Sequence, residues 1–434
     1  MNSQAEATGK WYRLDNAANV YPAIKNQKRP NLFRMSATLK ESVEPERLQE
    51  ALDTTLQRIP SFSVKMRSGL FWHYFSHSNA QMRIHEDVIN PCMSLSSSKD
   101  NGFQIRVRHH DRRIALEIFH SVSDGSGAMV FLKTLVARYL ALGGVSVPSG
   151  SGVLNLDGNP RLCETSDDFG AFAGQSTPKR ERQTRAYHVS GTKRPYHDID
   201  IITGTVPVEA IKAQAKQQAV SITEYLTGAY LFVLSNIQKS EQRGRHLPVS
   251  VQVPVNLRQF YPSETLRNFS SYVCPSIDPT QGDYTFEEIL SSVHHFMRYE
   301  VTDKRLHSRV ATNIHTERNP LLRMMPLFIK DRAISLGYAL AGPASYTSVL
   351  SNLGVVEIPA QMAAHVETFD FNLGPSPVTN VDCAVLGYNG QLRINFTRVI
   401  EEPFVERAFF TFLVRRGIPV KVESNKEQIE CLTA

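Results

Sequence analysis

Apolar side chains at Phe33, Met35, Ala37 and Leu39 recur at every second position, the period of a strand with one buried face. Beyond Pro45 the period changes. Leu48, Ala51, Leu52, Thr55 and Leu56 fall on one face of a helix over 46–58, with the proline in its first turn. Alternation returns over 103–108 and 113–119, on either side of the polar turn His109–Arg112, and predicts a hairpin. A helix over 128–142 follows, with Phe131, Leu132, Leu135, Tyr139 and Leu140 mostly on one face.

Between 143 and 186 the pattern is lost. This stretch is rich in Gly, Ser, Pro and Asp and carries the basic run 179–182, so it is expected to be a surface linker. It separates an N-terminal lobe over 1–175 from a C-terminal lobe over 187–434. The second half predicts a strand over 198–206 and a helix over 208–219. Ser221-Ile222-Thr223-Glu224 has capping-box spacing ahead of an apolar helix over 225–237. Further strands are expected over 248–257, 347–350, 365–371, 382–388 and 391–398, and helices over 286–299, within 304–340 and over 404–415. Asn389-Gly390, between two of these strands, is the strongest short hairpin signal in the chain. Strands and helices mixed through two similar-sized lobes make the class α/β (α+β). No sequence repeat relates the halves.

Composition narrows the choice of function. With 434 residues, 41% hydrophobic and 9% aromatic, the chain can fill about two or three cores and is not a disordered polymer. Its 48 Lys and Arg against 42 Asp and Glu leave a net charge of +6, which suits an anionic ligand such as a nucleotide-bearing cofactor. No basic run interleaved with aromatics points to nucleic acid. The N-terminus has no apolar core of signal-peptide type, and the longest apolar stretches, near 225–234 and 321–329, fall short of the ~18 residues of a membrane span. Cys92, Cys163, Cys274, Cys383 and Cys431 are scattered without CxxC spacing, which predicts reduced thiols in a cytoplasmic protein and no zinc site.

The segment that carries chemistry is Ile118-Phe119-His120-Ser121-Val122-Ser123-Asp124-Gly125. A histidine ends a buried strand, and Asp-Gly opens a helix a tight turn later. That placement gives the imidazole a rigid base, and a neutral His is well matched to accept a proton near pH 7. Taken alone, the spacing also fits a chance pairing or two metal ligands, although no third ligand of convincing spacing stands nearby.

HSVSDG resembles the HxxxDG signature of the chloramphenicol-acetyltransferase-like superfamily, which includes plant and bacterial acyltransferases and nonribosomal peptide condensation domains. Three further segments resemble the family in order: Pro254-Val255-Asn256-Leu257-Arg258 with Asn268-Phe269 after it, Ser351-Asn352-Leu353-Gly354, and Asp370-Phe371-Asn372-Leu373-Gly374 in the place of DFGWG. The opening WYRLDNAANVYP is most similar to the stand-alone bacterial alcohol acetyltransferase branch. Two departures stand out. Phe119 occupies the position where many members have a second histidine, and Asn372-Leu373 replace Gly-Trp.

The resemblance implies two lobes with a tunnel between them, acyl-CoA entering from one side and an alcohol from the other. His120 is then the general base, with no metal and no permanently bound cofactor. It implies that Asp124 points away from the tunnel and pairs with an arginine, for which Arg258 is the candidate, although Arg258 also reads as a surface charge at a strand end. The other arrangement for Asp124 is a hydrogen bond to His120 itself, as in a triad. Gly125 permits close backbone approach, Asp370 and Gly374 are expected to shape the lobe contact near the CoA channel, and Asn352 either donates into the tunnel or caps a loop. Trp11 and Tyr12 are expected to be N-terminal core anchors, and His109-His110 and His294-His295 to be turn or helix-face residues. The expected function is O-acyl transfer from acyl-CoA to a hydroxyl. The alternatives are condensation from a carrier-protein-bound donor and a non-catalytic binding protein on the same fold.

Overall fold

The computed structural model describes residues 11–425 apart from 16, 97, 173–184, 196–197, 242–246, 319, 342–344 and 377. Cys431 and the basic run 179–182 lie outside the described residues. In the first half the order is β1 (Trp11–Arg13), α1 (Val20–Ile24), β2 (Leu32–Leu39), α2 (Pro45–Arg58), β3 (Val64–Ser68), β4 (His73–His77), β5 (His85–Glu86), β6 (Ile105–His110), β7 (Arg113–Phe119) and α3 (Gly125–Leu142). The hairpin turn is tighter than its polar residues suggest. β6 runs on to His110, and Asp111 takes the left-handed conformation at φ 46°. β1, β4 and β3 form a small separate sheet that the sequence pattern did not reveal.

The second half contributes β8 (Asp200–Pro207), α4 (Val208–Gln217), α5 (Ile222–Ser240), β9 (Val249–Asn256), β10 (Ser270–Val273), β11 (Ser276–Ile277), α6 (Phe286–Glu300), α7 (Asp303–Arg318), α8 (Pro320–Met324), α9 (Leu327–Ala341), β12 (Ser348–Val355), α10 (Ala360–Ala363), β13 (Val366–Leu373), β14 (Val381–Tyr388), β15 (Gln391–Arg398), α11 (Phe404–Arg415) and β16 (Lys421–Ser424). Ser221 caps α5 through the expected box, its hydroxyl accepting from Glu224 N–H while Glu224 accepts from Ser221 N–H. Asn389 and Gly390 both have positive φ, 47° and 72°, as a two-residue hairpin turn requires.

Two larger sheets carry the fold. One has the order β13-β2-β7-β6-β5, and the other β10-β9-β12-β14-β15-β8-β16 with β11 also on β9. β13 comes from the second half of the chain yet pairs antiparallel with β2, so the 187–434 stretch supplies an edge strand to the first sheet. Apart from Asp382, the sequence of β14 is apolar on both faces because both are buried. Val381, Cys383 and Val385 point into the core around α5, whereas Ala384, Leu386 and Tyr388 join the core between α2, α3 and the five-stranded sheet.

By length and composition α3 is apolar enough to cross a bilayer, but two-thirds of it (67%) is buried inside the fold, where it is a core helix. Much of the described part of the expected linker is tied down: Glu164 is buried and accepts from Arg58 at 2.7 and 2.8 Å, and Phe169 reaches the second core.

Candidate active site

α3 begins where Asp124, with extended backbone, turns its carboxylate onto the helix end. Oδ1 accepts from Gly127 N–H at 3.0 Å. Oδ2 accepts from the Phe269 N–H at 2.7 Å and from Arg258 Nη1 at 2.8 Å. Arg258 also donates to the carbonyls of Thr265 and Arg267. Ser123 Oγ donates to Leu266 O at 2.5 Å, and a Cβ on Gly127 would lie 2.1 Å from that carbonyl oxygen. The 121–127 loop is therefore bolted to residues 258–269 of the second half. Gly125 is tight as well, with a Cβ 2.5 Å from Leu353 Cδ2, although there the obstacle is a side chain.

His120 follows β7 directly and is half-buried. Its N–H donates to Asn31 O at 3.0 Å. Its ring stacks on Tyr21, with centroids 4.6 Å apart and planes at 17°, and meets Phe33 edge-on at 5.1 Å. Nδ1 lies 3.2 Å from Asn268 Oδ1. The Asn268 amide has a forced orientation, because its Nδ2 donates to two acceptors, Asp15 Oδ2 at 3.2 Å and Ser121 O at 3.4 Å. The oxygen facing the ring must then accept from Nδ1–H, which leaves Nε2 as the bare, basic nitrogen. Burial pushes the imidazole pKa below its ordinary 6.5. A hydrogen bond with its own carbonyl, the charge of Asp124 and the bond to Asn268 oppose that shift without cancelling it. The ring is neutral at pH 7.

No family model matches the sequence, and no curated protein matches it. Solved structures do match. Trichothecene 15-O-acetyltransferase TRI3 from Fusarium sporotrichioides superposes with a TM-score of 0.61 at 12% identity, over 94% of this chain and 95% of that one. TRI101 of F. graminearum, solved with coenzyme A and T-2 mycotoxin, gives 0.59 at 12% identity over 92% and 96%. The condensation domain of Monacolin K polyketide synthase MokA gives 0.59 at 12% identity over 94% and 96%. The chain has the acetyltransferase–condensation fold.

Within that fold the remaining residues expected at the site are dispersed. Asp370, on β13, pairs with Arg393 of β15 and so links the two large sheets. Gly374 lies just past β13, where a Cβ would sit 2.1 Å from Leu32 O. Asn352 donates to Thr223 Oγ1 at 3.0 Å and accepts from Gly354 N–H at 2.9 Å, a loop-capping arrangement. Trp11 is 59% exposed at the small sheet and is therefore not a core anchor, whereas Tyr12 does pack against the first core. His109 and His110 end β6, and His294 faces Glu224 at 3.2 Å from α6.

Asn268, Tyr21 and Phe33 touch the imidazole, and Asp15 holds Asn268, without any of the four having been singled out for it. The Asn268-Phe269 step was visible in the sequence, but nothing local pointed it at His120. Asp15 is fully buried 3.6 Å from Arg267, and burial raises its carboxyl to about 6 against the pull of that guanidinium. Among the described residues no group of three or more His, Cys, Asp or Glu is placed to hold a metal.

Proposed function

We propose that this chain is a CoA-dependent O-acyltransferase of the alcohol acetyltransferase kind, with His120 as general base. The observation that carries the reading is the imidazole held neutral by burial and fixed by Asn268 in the Nδ1–H tautomer, with Nε2 bare. Nε2 takes the proton of an acceptor hydroxyl as its oxygen attacks the thioester carbonyl. The C–O bond forms, the tetrahedral intermediate collapses with loss of the C–S bond, and the protonated ring returns its proton to the departing thiolate. A thioester is already activated, so the protein supplies base catalysis, commonly worth about 10²–10⁴-fold, and alignment of the two substrates. TRI101, of the same fold, was solved with coenzyme A.

The other residues act at one remove. Asp124 and Arg258 hold the loop that aims His120, Gly374 allows close approach to the Leu32 backbone and Gly125 to the Leu353 side chain, and Asp370 braces the two sheets. Asn352 shapes a loop. We assign the reaction to the cytoplasm, where acyl-CoA and free thiols coexist.

The test is release of CoA thiol from acetyl-CoA or longer acyl-CoAs against a panel of alcohols, with His120→Ala alongside. Release by the wild type and loss of at least about 100-fold in the variant is expected. Equal turnover by the variant removes the base assignment. Turnover with a carrier-protein-bound acyl thioester but none with acyl-CoA moves the protein to the condensation reading.

A further inference from the structure

The chain has two tryptophans, and both lie exposed at the small sheet β1-β4-β3: Trp11, 59% exposed, in β1, and Trp72, 51% exposed, in the turn just before β4. Strand register fixes which side chains share a face. Trp11 stands opposite Ser76, and both Arg13 and Arg67 stand opposite Tyr74. Trp72, two residues before Tyr74, continues the same alternation. The other face carries Phe75, which is buried in the first core with Tyr12 and Met66 against it. One side of this sheet is thus core, and the other is aromatic and cationic.

The β3–β4 tip extends this face. Leu70, at the tip, is 70% exposed, and its carbonyl accepts from Leu327 N–H of α9 at 2.8 Å. Lys330 Nζ donates to Phe71 O at 2.7 Å and His73 faces Asp331 at 3.1 Å, so helix and hairpin tip are joined. α8 then turns Met324 outward, and α9 turns Phe328 and Leu336 outward, at 74%, 71% and 62% exposure. Over 11–13, 64–77 and 320–337 the charged residues are Arg13, Lys65, Arg67, Arg323, Lys330 and Arg332 against the single acid Asp331.

Large exposed apolar side chains gathered in one region mark a docking surface. We propose that this face docks the protein on a lipid bilayer bearing anionic headgroups. Tryptophans and aliphatic side chains seat at the headgroup level, and the arginines around them meet lipid phosphates. A second copy of the chain is the poorer occupant, because a two-fold contact would set these arginines against their own copies. α9 also packs on α1, whose Tyr21 stacks on His120, so the docked face lies one helix away from the imidazole. The proposal stands whether or not His120 is a base.

Because both tryptophans lie on this face, they report docking directly. The full chain is mixed with vesicles of phosphatidylcholine containing roughly one-third phosphatidylserine, and with phosphatidylcholine alone. Co-sedimentation and a blue shift of tryptophan emission are expected with the anionic vesicles, weakened by high salt and by omission of phosphatidylserine. Leu70→Ser with Phe328→Ser keeps both reporters and lowers partitioning about ten-fold or more. Arg67→Glu with Arg332→Glu lowers it similarly. Wild-type emission quenched by brominated lipid decides the matter even where a variant fails to fold. Unshifted emission with the protein left in the supernatant overturns the proposal, as do both double variants binding like the wild type. A doubled mass with blue-shifted emission in the absence of lipid assigns the face to a second copy and overturns it too.

Discussion

Replacing Asp124 by Asn keeps the side chain's shape but removes its charge and one acceptor. The carboxylate accepts three hydrogen bonds, from Gly127 N–H on one oxygen and from Phe269 N–H and Arg258 on the other. Either orientation of the amide turns an NH₂ toward an N–H donor. In the less damaging one Gly127 loses its acceptor, an N-cap worth about 1 kcal/mol. Arg258 then meets a neutral oxygen and loses a charge-assisted bond worth about 1.5–3 kcal/mol. The total of about 3 kcal/mol sits at the low end of the ~3–5 kcal/mol for stranding a fully buried charge. The reason is that Arg258 keeps the Thr265 and Arg267 carbonyls and its side chain is 15% exposed. For a cooperative unit the size of one lobe, that shifts the melting temperature by roughly 6–12 °C. Scanning calorimetry of the wild type, Asp124→Asn and His120→Ala separates the roles, because His120→Ala removes no ion pair and should melt within a few degrees of the wild type. An Asp124→Asn protein that melts with the wild type yet loses as much turnover as His120→Ala would refute the reasoning and make Asp124 part of the chemistry.

Asn268→Leu should lower turnover about ten-fold or more and abolish the Nδ1–H tautomer of His120 seen by ¹⁵N NMR; an unchanged tautomer removes Asn268 from the site. Since burial lowers the His120 pKa, the base stays neutral to lower pH, and the acid limb of the rate profile should fall below 6.5; a limb at or above 6.5 contradicts this. Gly127→Ala should cost about 1–3 kcal/mol or more, since its Cβ meets backbone, and Gly125→Ala less, since its Cβ meets a leucine side chain; equal melting temperatures would count against both contacts. Asp382 is buried, with hydrogen bonds from the Thr379 hydroxyl, the Val349 N–H and the Ser348 side chain, none of them a cation, and burial raises its pKa from 3.8 to about 6. The stability this group contributes is present below 3.8 and lost as pH rises through 6. Asp382→Asn should therefore match the wild type near pH 4 and exceed it at pH 7.5, by up to about 3 kcal/mol, and an identical difference at both values would show that the carboxyl does not titrate in the fold.

Local physics made much of the chain legible. The helix Phe404–Arg415 and the strand Gln391–Arg398 occur end to end where the period put them, and the Ser221 box and the Asn389-Gly390 turn form as written. Each depends only on residues a few positions apart. The small sheet was invisible because β1, β3 and β4 are only three to five residues long and keep aromatic side chains on their exposed face. Asp15 and Asn268 were missed for a different reason: they lie 253 residues apart in the chain, and no spacing rule links an N-terminal aspartate to an asparagine beyond a strand of the other half. The same holds for β13. Its alternation marked a strand but could not name β2 as its neighbour.

That pairing has a consequence for synthesis. Until Val366 emerges, β2 has no partner on one side, and 327 residues separate Leu39 from it (366 − 39). At the ordinary elongation rate of about 5–20 residues per second, the edge of β2 stays bare for roughly 16–65 s. Five of the eight residues from Leu32 to Leu39 are hydrophobic, and that unpaired row of N–H and C=O groups is a template for strands of neighbouring nascent chains. A nascent chain stopped anywhere before 366 would carry that open edge permanently. The newborn protein is thus most prone to aggregate while its first sheet waits for a strand that the ribosome has not yet made.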